Sequence, residues 1–209
     1  MAAQPPLTHV VLKASSVADD LGYVALADIT DVLGSSTYRI IGGHMVTALV
    51  ARWHLGPDLY RETRDSDLGV PPVVIREEGV VERLISRGYE RIKGNRFARP
   101  VNGERLAINV ALPDEVAALT LKGLASKVRD KPTDIVDLWR CLEISHAAGL
   151  DASAFADGDA AEAARIIRSA FDRRDGAAMS TLVREQRLSV TAGDERFTRI
   201  RALTQRILT

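Results

Sequence analysis

From Val17 to Val32 apolar residues return at helical spacing: Val17, Leu21, Val24, Leu26 or Ala27 and Val32 share a face, Ser15 or Ser16 can cap the first turn, and Gly34 can end the last. This predicts an N-terminal helix over 16–33. Thr37-Tyr38-Arg39-Ile40-Ile41 is β-favouring and runs into Gly42-Gly43, after which Met45, Ala48, Leu49 and Trp53 return at i, i+3, i+4 and i+8 up to Gly56-Pro57. The expected order is strand, glycine turn, helix. A loop over 57–64 then leads to a second strand at Asp65–Val70, closed by Pro71-Pro72 because proline cannot donate to a central ladder.

A helix is expected over 75–87, with Val80, Val81, Leu84 and Ile85 inward and Gly88 at its end. Three short strands at 89–93, 96–101 and 105–111 follow, separated by Lys93-Gly94-Asn95 and by Asn102-Gly103, a strong hairpin signal. From Pro113 onward the strand pattern stops. Helices at 114–128, 133–148, 160–173, 176–188 and 194–208 are punctuated by Gly149, Gly158, Gly176 and Gly193. Strands with crossover helices, then a meander, then a helical block give an α+β fold: a mixed sheet with flanking helices over 1–112 and a C-terminal helical bundle over 113–209. The boundary is expected near Leu112-Pro113, and an active site in the cleft between sheet and helices.

Composition narrows the class without choosing a function. The chain has 209 residues, 46% hydrophobic and 27% charged, enough for a packed core. No apolar run approaches bilayer length, so no membrane association is expected. Met1–Lys13 carries no basic region followed by an apolar core and a cleavage site, so a cytoplasmic location is expected. The single cysteine, Cys141, sits in an apolar helical pattern and reads as a buried structural thiol. Net charge is zero, but residues 81–105 hold seven Lys/Arg against three Glu, and 160–209 hold ten Arg against six acids. Segments 1–80 and 106–159 each sum to minus four. Such patches suit metal-binding carboxylates beside phosphate- or RNA-binding surface; solvated helix faces give the same pattern.

The chemistry concentrates in a few residues. Asp65 and Asp67, at i and i+2 on a strand, would present their carboxylates on one face. At the edge of a buried strand they would repel unless neutralised, and Mg2+ (or Mn2+) is the natural counter-ion. Gly42-Gly43 would let backbone approach a ligand, and the amides of the following helix favour phosphate; a plain tight turn explains them too. His44 could reach a phosphate or base, or simply pack. Ser66, between the aspartates, would face away from a metal. Lys122 lies among Leu119, Leu121, Leu124 and Ala125 on a mostly apolar helix, where a bound phosphate would account for its charge. Asp134 and Asp137 share a helix face, with helix capping as the simpler role for Asp134. Trp53 and Trp139 are expected in the core.

Gly42-Gly43, a helix, and Asp65-x-Asp67 on a strand together resemble the signature of the polymerase-beta-type nucleotidyltransferase superfamily. The later run Lys122…Lys127-x-Arg129-Asp130-Lys131-x-x-Asp134-x-x-Asp137-Leu138 resembles the additional motifs of the AbiEii-like toxins of type IV toxin–antitoxin systems, including the related MenT toxins. The likeness covers most of residues 37–140 and weakens over the C-terminal helices.

The resemblance implies a transfer of a nucleoside monophosphate from an NTP to a hydroxyl, with release of pyrophosphate. Asp65 and Asp67 would hold Mg2+. Gly42, Gly43, His44, Ser66, Lys122 and Asp137 would surround the nucleotide, and Asp134 would match the acidic residue of the fourth motif. It further implies a tRNA 3′ end as acceptor, growth inhibition as the effect and a cognate antitoxin as partner, with no DNA partner expected. Two departures stand out. Twenty-one residues separate Gly43 from Asp65, more than the superfamily's usual interval, and Asn109 stands where a third carboxylate is expected. Two rivals stay open: an aminoglycoside-type enzyme acting on a small molecule, and a catalytically silent nucleotide-binding module.

Overall fold

In the computed structural model, Ser16 caps helix α1 (Val17–Leu33) by accepting from the Asp19 amide at 3.2 Å, and Gly34 ends it in a left-handed turn. The structure describes residues 8–34, 36–63, 66–71, 79–93, 96–98, 110–129 and 131–209. It is mixed α and β and mostly helical. The chain divides into two compact units, one of residues 10–47 and 60–112, the other built from Ala48–Leu59 and Pro113–Thr209 with a stretch at the N-terminus.

In the first unit, β1 (Arg39–Ile41) pairs antiparallel with β2 (Asp67–Gly69), with Ile40 opposite Leu68 and Ile41 opposite Asp67. Helix α2 (Gly42–Arg52) starts immediately after β1. Helix α3 (Val80–Ser86) packs on α1 through Val32, Leu84 and Tyr89, with Ile29 and Val80 beside them. Polar links lie alongside this packing: Tyr89 donates its hydroxyl to Asp28 at 2.8 Å, and Arg87 bonds Asp28 at 3.2 Å and also Asp31. Strands β3 (Glu90–Lys93) and β4 (Arg96–Ala98) form a second antiparallel pair with an irregularity between Arg91 and Lys93. Among the described residues the strands therefore make two two-stranded antiparallel sheets, and no wider mixed sheet. Of the strand expected over 105–111, only Val110 and Ala111 are described, and the Ala111 carbonyl accepts from Ile40 N–H at 2.8 Å. The Asn102-Gly103 turn lies outside the described residues.

Five helices dominate the second unit: α4 (Glu115–Val128), α5 (Pro132–Ala147), α6 (Gly158–Ala170), α7 (Ala177–Glu185) and α8 (Val190–Leu208). Asp114 caps α4 through the Ala117 amide at 2.7 Å, Ser189 caps α8, and Pro132 opens α5 where its missing N–H is not needed. Helix α4 lies across α5 and α6. Gly123 permits the close approach, since a methyl group there would meet the Ala163 side chain at 2.9 Å. Leu119, Leu138, Leu142, Ile144, Ile167, Phe171, Leu182, Ile200 and Ile207 are buried, each worth about 1.5–3 kcal/mol relative to exposure.

Helix α2 ends at Arg52, earlier than the Gly56-Pro57 stop predicts. His54 takes a left-handed φ of 50°, and the His54 and Leu55 amides turn back to the Ala51 and Val50 carbonyls, which closes the helix without glycine. Trp53, expected in the core, is half-buried in this turn and donates its indole N–H to Glu115 at 2.8 Å. Trp139 is buried as expected.

Candidate functional site

The passage from β1 into α2 places Asp67 over Gly42. Ile41 is the last strand residue and pairs with Asp67, so the chain must turn into a helix at the next position, and Gly42 does so at φ 71°. The Asp67 carboxylate occupies the space that a side chain at Gly42 would need. Two demands, a left-handed backbone and no Cβ, thus coincide at one residue. Asp67 is exposed, not at the edge of a buried strand as its sequence context predicts, and its carboxylate makes no hydrogen bond or ion pair with a described residue. It lies beside Gly42, the first residue of α2, where the helix dipole is positive.

Gly43 has a different reason to be glycine. A Cβ there would meet Cγ2 and Oγ1 of Thr63 at 2.6 Å, with Arg61 Nη2 at 3.1 Å. Thr63 is buried, and its amide donates to Asp19 Oδ1 at 3.3 Å. Its hydroxyl has no hydrogen-bond partner among the described residues. His44 is 2% exposed and packs edge-on against Tyr23, with ring centroids 5.3 Å apart. It belongs to the interior of the unit. Ser66 donates its hydroxyl to the Gly22 carbonyl at 2.9 Å. Asp65 and Asn109, the expected second metal ligand and the residue at the third acidic position, lie outside the described residues.

The second cluster lies wholly in the helical unit. Lys122 on α4 is 5% exposed, and its ammonium donates to Asp137 Oδ2 at 2.6 Å and Asp134 Oδ1 at 3.3 Å on α5. Asp137 Oδ1 accepts from Arg140 Nη1 at 2.9 Å, and Arg140, 1% exposed, also donates Nε to the Leu59 carbonyl at 2.6 Å. Two buried cations, Lys122 and Arg140, face two buried carboxylates, Asp134 and Asp137. The sequence puts Lys122 on an apolar face and suggests phosphate as its counter-ion; in the fold Asp134 and Asp137 stand beside it. Asp134 Oδ2 is buried without a hydrogen bond, 3.5 Å from Arg129 Nε. Cys141 is buried beside the cluster. Burial first, and the Asp137 charge second, push its thiol up to about 12, against the opposing charges of Lys122 and Arg140.

No protein-family model, curated protein or solved structure matches this chain. The functional reading therefore stands on the residues themselves. Sequence reasoning picks out Gly42, Asp67, Lys122, Asp134 and Asp137, and the structure joins the first two in one unit and the last three in the other. It passes over Asp19 and Thr63, whose roles depend on a 44-residue separation, and Arg140, whose signal was a third charge at i+3 from Asp137 in an apolar helix.

A carboxylate oxygen that is exposed, without a protein partner among the described residues and fixed beside a glycine turn has the donor chemistry a hard divalent cation requires. Among the described residues no three His, Cys, Asp or Glu side chains converge, so water and substrate oxygens would complete such a shell. In the arginine-rich segment 160–209, Arg173 pairs with Asp175, Arg174 with Asp194, Arg184 with Glu185 and Arg199 with Glu143. Arg196 stacks over Trp139 at 4.4 Å, and burial lowers its pKa. Among the described residues no helix is long and apolar enough to cross a membrane.

Proposed function

We propose that this protein is a divalent-metal-dependent nucleotidyltransferase of the polymerase-beta type with an α+β core, transferring a nucleoside monophosphate from an NTP to an acceptor hydroxyl. The observation that carries the reading is the Asp67 carboxylate lying on Gly42 beside the first turn of α2. Asp65 and Asp67 would hold Mg2+, or Mn2+ in its place. The ion would supply neutralisation of phosphate charge and alignment of the attacking and leaving oxygens. The α2 amides would receive a phosphate, with Gly42 and Gly43 keeping side chains out of its way. The role proposed for Lys122 is a point charge toward phosphate, with Asp134 as its paired carboxylate. Asn109 leaves the proposed centre with two aspartates, which would suit a single tightly held ion.

The acceptor we propose is the 3′ end of tRNA, with a toxin's growth arrest as the outcome, a cognate antitoxin as partner and the cytoplasm as the location. A second reading, a small-molecule acceptor, is favoured by the acid pairing of Arg173, Arg174, Arg184 and Arg199, which removes positive charge otherwise available to an RNA backbone. Both are tested by incubating the protein with each labelled NTP and Mg2+, with total RNA in one arm and an aminoglycoside in the other, wild type against Asp65→Ala. Label in tRNA-sized bands from wild type alone supports the first reading, and label on the aminoglycoside alone supports the second. Pyrophosphate release that is absent in every arm overturns both.

A further inference from the structure

Asp67 opens a strand of only three residues, and the ladder with Ile41 fixes its backbone from one side. Upstream of it, Thr63 and Ser66 are each tied to helix α1 by a hydrogen bond: the Thr63 amide to Asp19 Oδ1 at 3.3 Å, and the Ser66 hydroxyl to the Gly22 carbonyl at 2.9 Å. Asp19 and Gly22 are three residues apart and share a helix face. The two anchors thus flank Arg64 and Asp65 in sequence and end one residue before Asp67.

The acceptors are specialised for this. Asp19 is 4% exposed and divides its carboxylate: Oδ2 takes the Ser15 amide at 3.0 Å and the Ser15 hydroxyl at 3.1 Å, which is helix-end work, while Oδ1 is turned to Thr63. Helix capping does not call for the Oδ1 contact, because Ser16 already serves the Asp19 amide. Gly22 leaves room for the neighbours: a Cβ there would meet the His44 ring at 2.6 Å and the Thr63 carbonyl at 3.0 Å. His44, at the start of α2, is thereby packed on the same face of α1 that grips the aspartate segment.

We infer that Asp19 and Ser66 are positioning residues of the proposed metal centre, tying Thr63 and Ser66 to α1 so that the Asp67 carboxylate stays over Gly42. The inference rests on the reading of Asp67 as a metal ligand. It predicts that Ser66 acts through its hydroxyl donor and not through contact with nucleotide.

The test is a Mn2+ titration followed by electron paramagnetic resonance, on wild type, Ser66→Ala, Ser66→Thr, Asp19→Ala and Asp67→Asn, with thermal unfolding of each recorded alongside. Ser66→Ala should bind Mn2+ on the order of 10- to 100-fold more weakly, the range for losing a residue that orients a metal ligand, in a protein that remains folded. Ser66→Thr, which keeps the donor, should restore the affinity, and Asp19→Ala, which removes the acceptor of the Thr63 amide, should weaken it in the same direction as Ser66→Ala. Wild-type affinity in Ser66→Ala and Asp19→Ala, with Asp67→Asn impaired, overturns the inference and leaves the metal reading standing. If Ser66→Ala does not fold, Asp19→Ala against wild type decides. A wild-type protein that binds no Mn2+, or an Asp67→Asn that binds as well as wild type, overturns the metal reading and this inference with it.

Discussion

Asp67 and Asp137 are carboxylates that the sequence nominates for the same nucleotide chemistry, yet the fold treats them in opposite ways. Asp67 is exposed, without a hydrogen bond or ion pair to a described residue, and rests on a glycine. Asp137 is 1% exposed and bonded by both Lys122 and Arg140. Removing a charge from water costs several kcal/mol, so a buried carboxylate persists only with its cations in place. An exposed one carries no such debt, and its oxygens remain available to a ligand. The contrast teaches that the two motifs contribute differently: the helical cluster is first a structural unit, and the Asp67 centre is first a binding surface.

The comparison breaks most visibly at Asp137. Replacing it with alanine takes a buried carboxylate away from both Lys122 and Arg140, and urea unfolding of the full chain should show a loss of about 3–5 kcal/mol. A loss under about 1 kcal/mol would mean that water or rearrangement already serves these cations. Gly42 comes next. Alanine there must adopt φ 71° and overlap the Asp67 carboxylate, so Gly42→Ala should cost about 1–3 kcal/mol in the same measurement. A Gly42→Ala, Asp67→Ala double variant should recover part of that loss, because one of its two causes is gone.

How much of this was legible beforehand follows the range of the interactions. The start of α1 could be read because the cap Ser16 and the amide it serves lie within three residues. The α2 terminus was misplaced because His54 closes the helix in a conformation that sequence reading reserves for glycine. Asp67 was found as a candidate, but its exposure was not, since Leu68-Gly69-Val70 suggested a buried strand and the described strand is half-buried. Lys122 was picked out for its charge, but not for the two carboxylates that stand beside it. Nothing in the spacing alone says whether a lysine on an apolar face awaits a ligand or meets a carboxylate from the next helix, and here α5 brings two.

The surroundings of the buried cluster can be probed through Cys141. Its folded thiol ionises near 12 against an ordinary value of 9.0, with burial as the main cause and Asp137 next. The unfolded chain loses its thiol proton first as pH rises, so the stability tied to this group is whole below pH 9 and falls progressively toward pH 12. The slope should approach 1.4 kcal/mol per pH unit, at about the limit for one group. Cys141→Ala should flatten that part of the pH profile, and a profile unchanged by the substitution would show that the thiol reaches water.

The smallest effect on stability should come from the residue that matters most to the proposed chemistry. Asp67→Asn keeps the shape over Gly42 and removes only charge, and at the first turn of α2 that charge is worth about 0.3–1 kcal/mol through the helix dipole. Unfolding should therefore shift by no more than that. Nucleotidyl transfer should fall on the order of 100-fold or more, the scale of a lost electrostatic contact in a transition state. The pairing of the two measurements decides the comparison: a residue placed for stability loses both together, as Asp137→Ala must, whereas Asp67→Asn should lose activity in a protein that remains folded. If Asp67→Asn instead unfolds the chain as Asp137→Ala does, Asp67 is a structural partner of α2 and the distinction between the two carboxylates collapses.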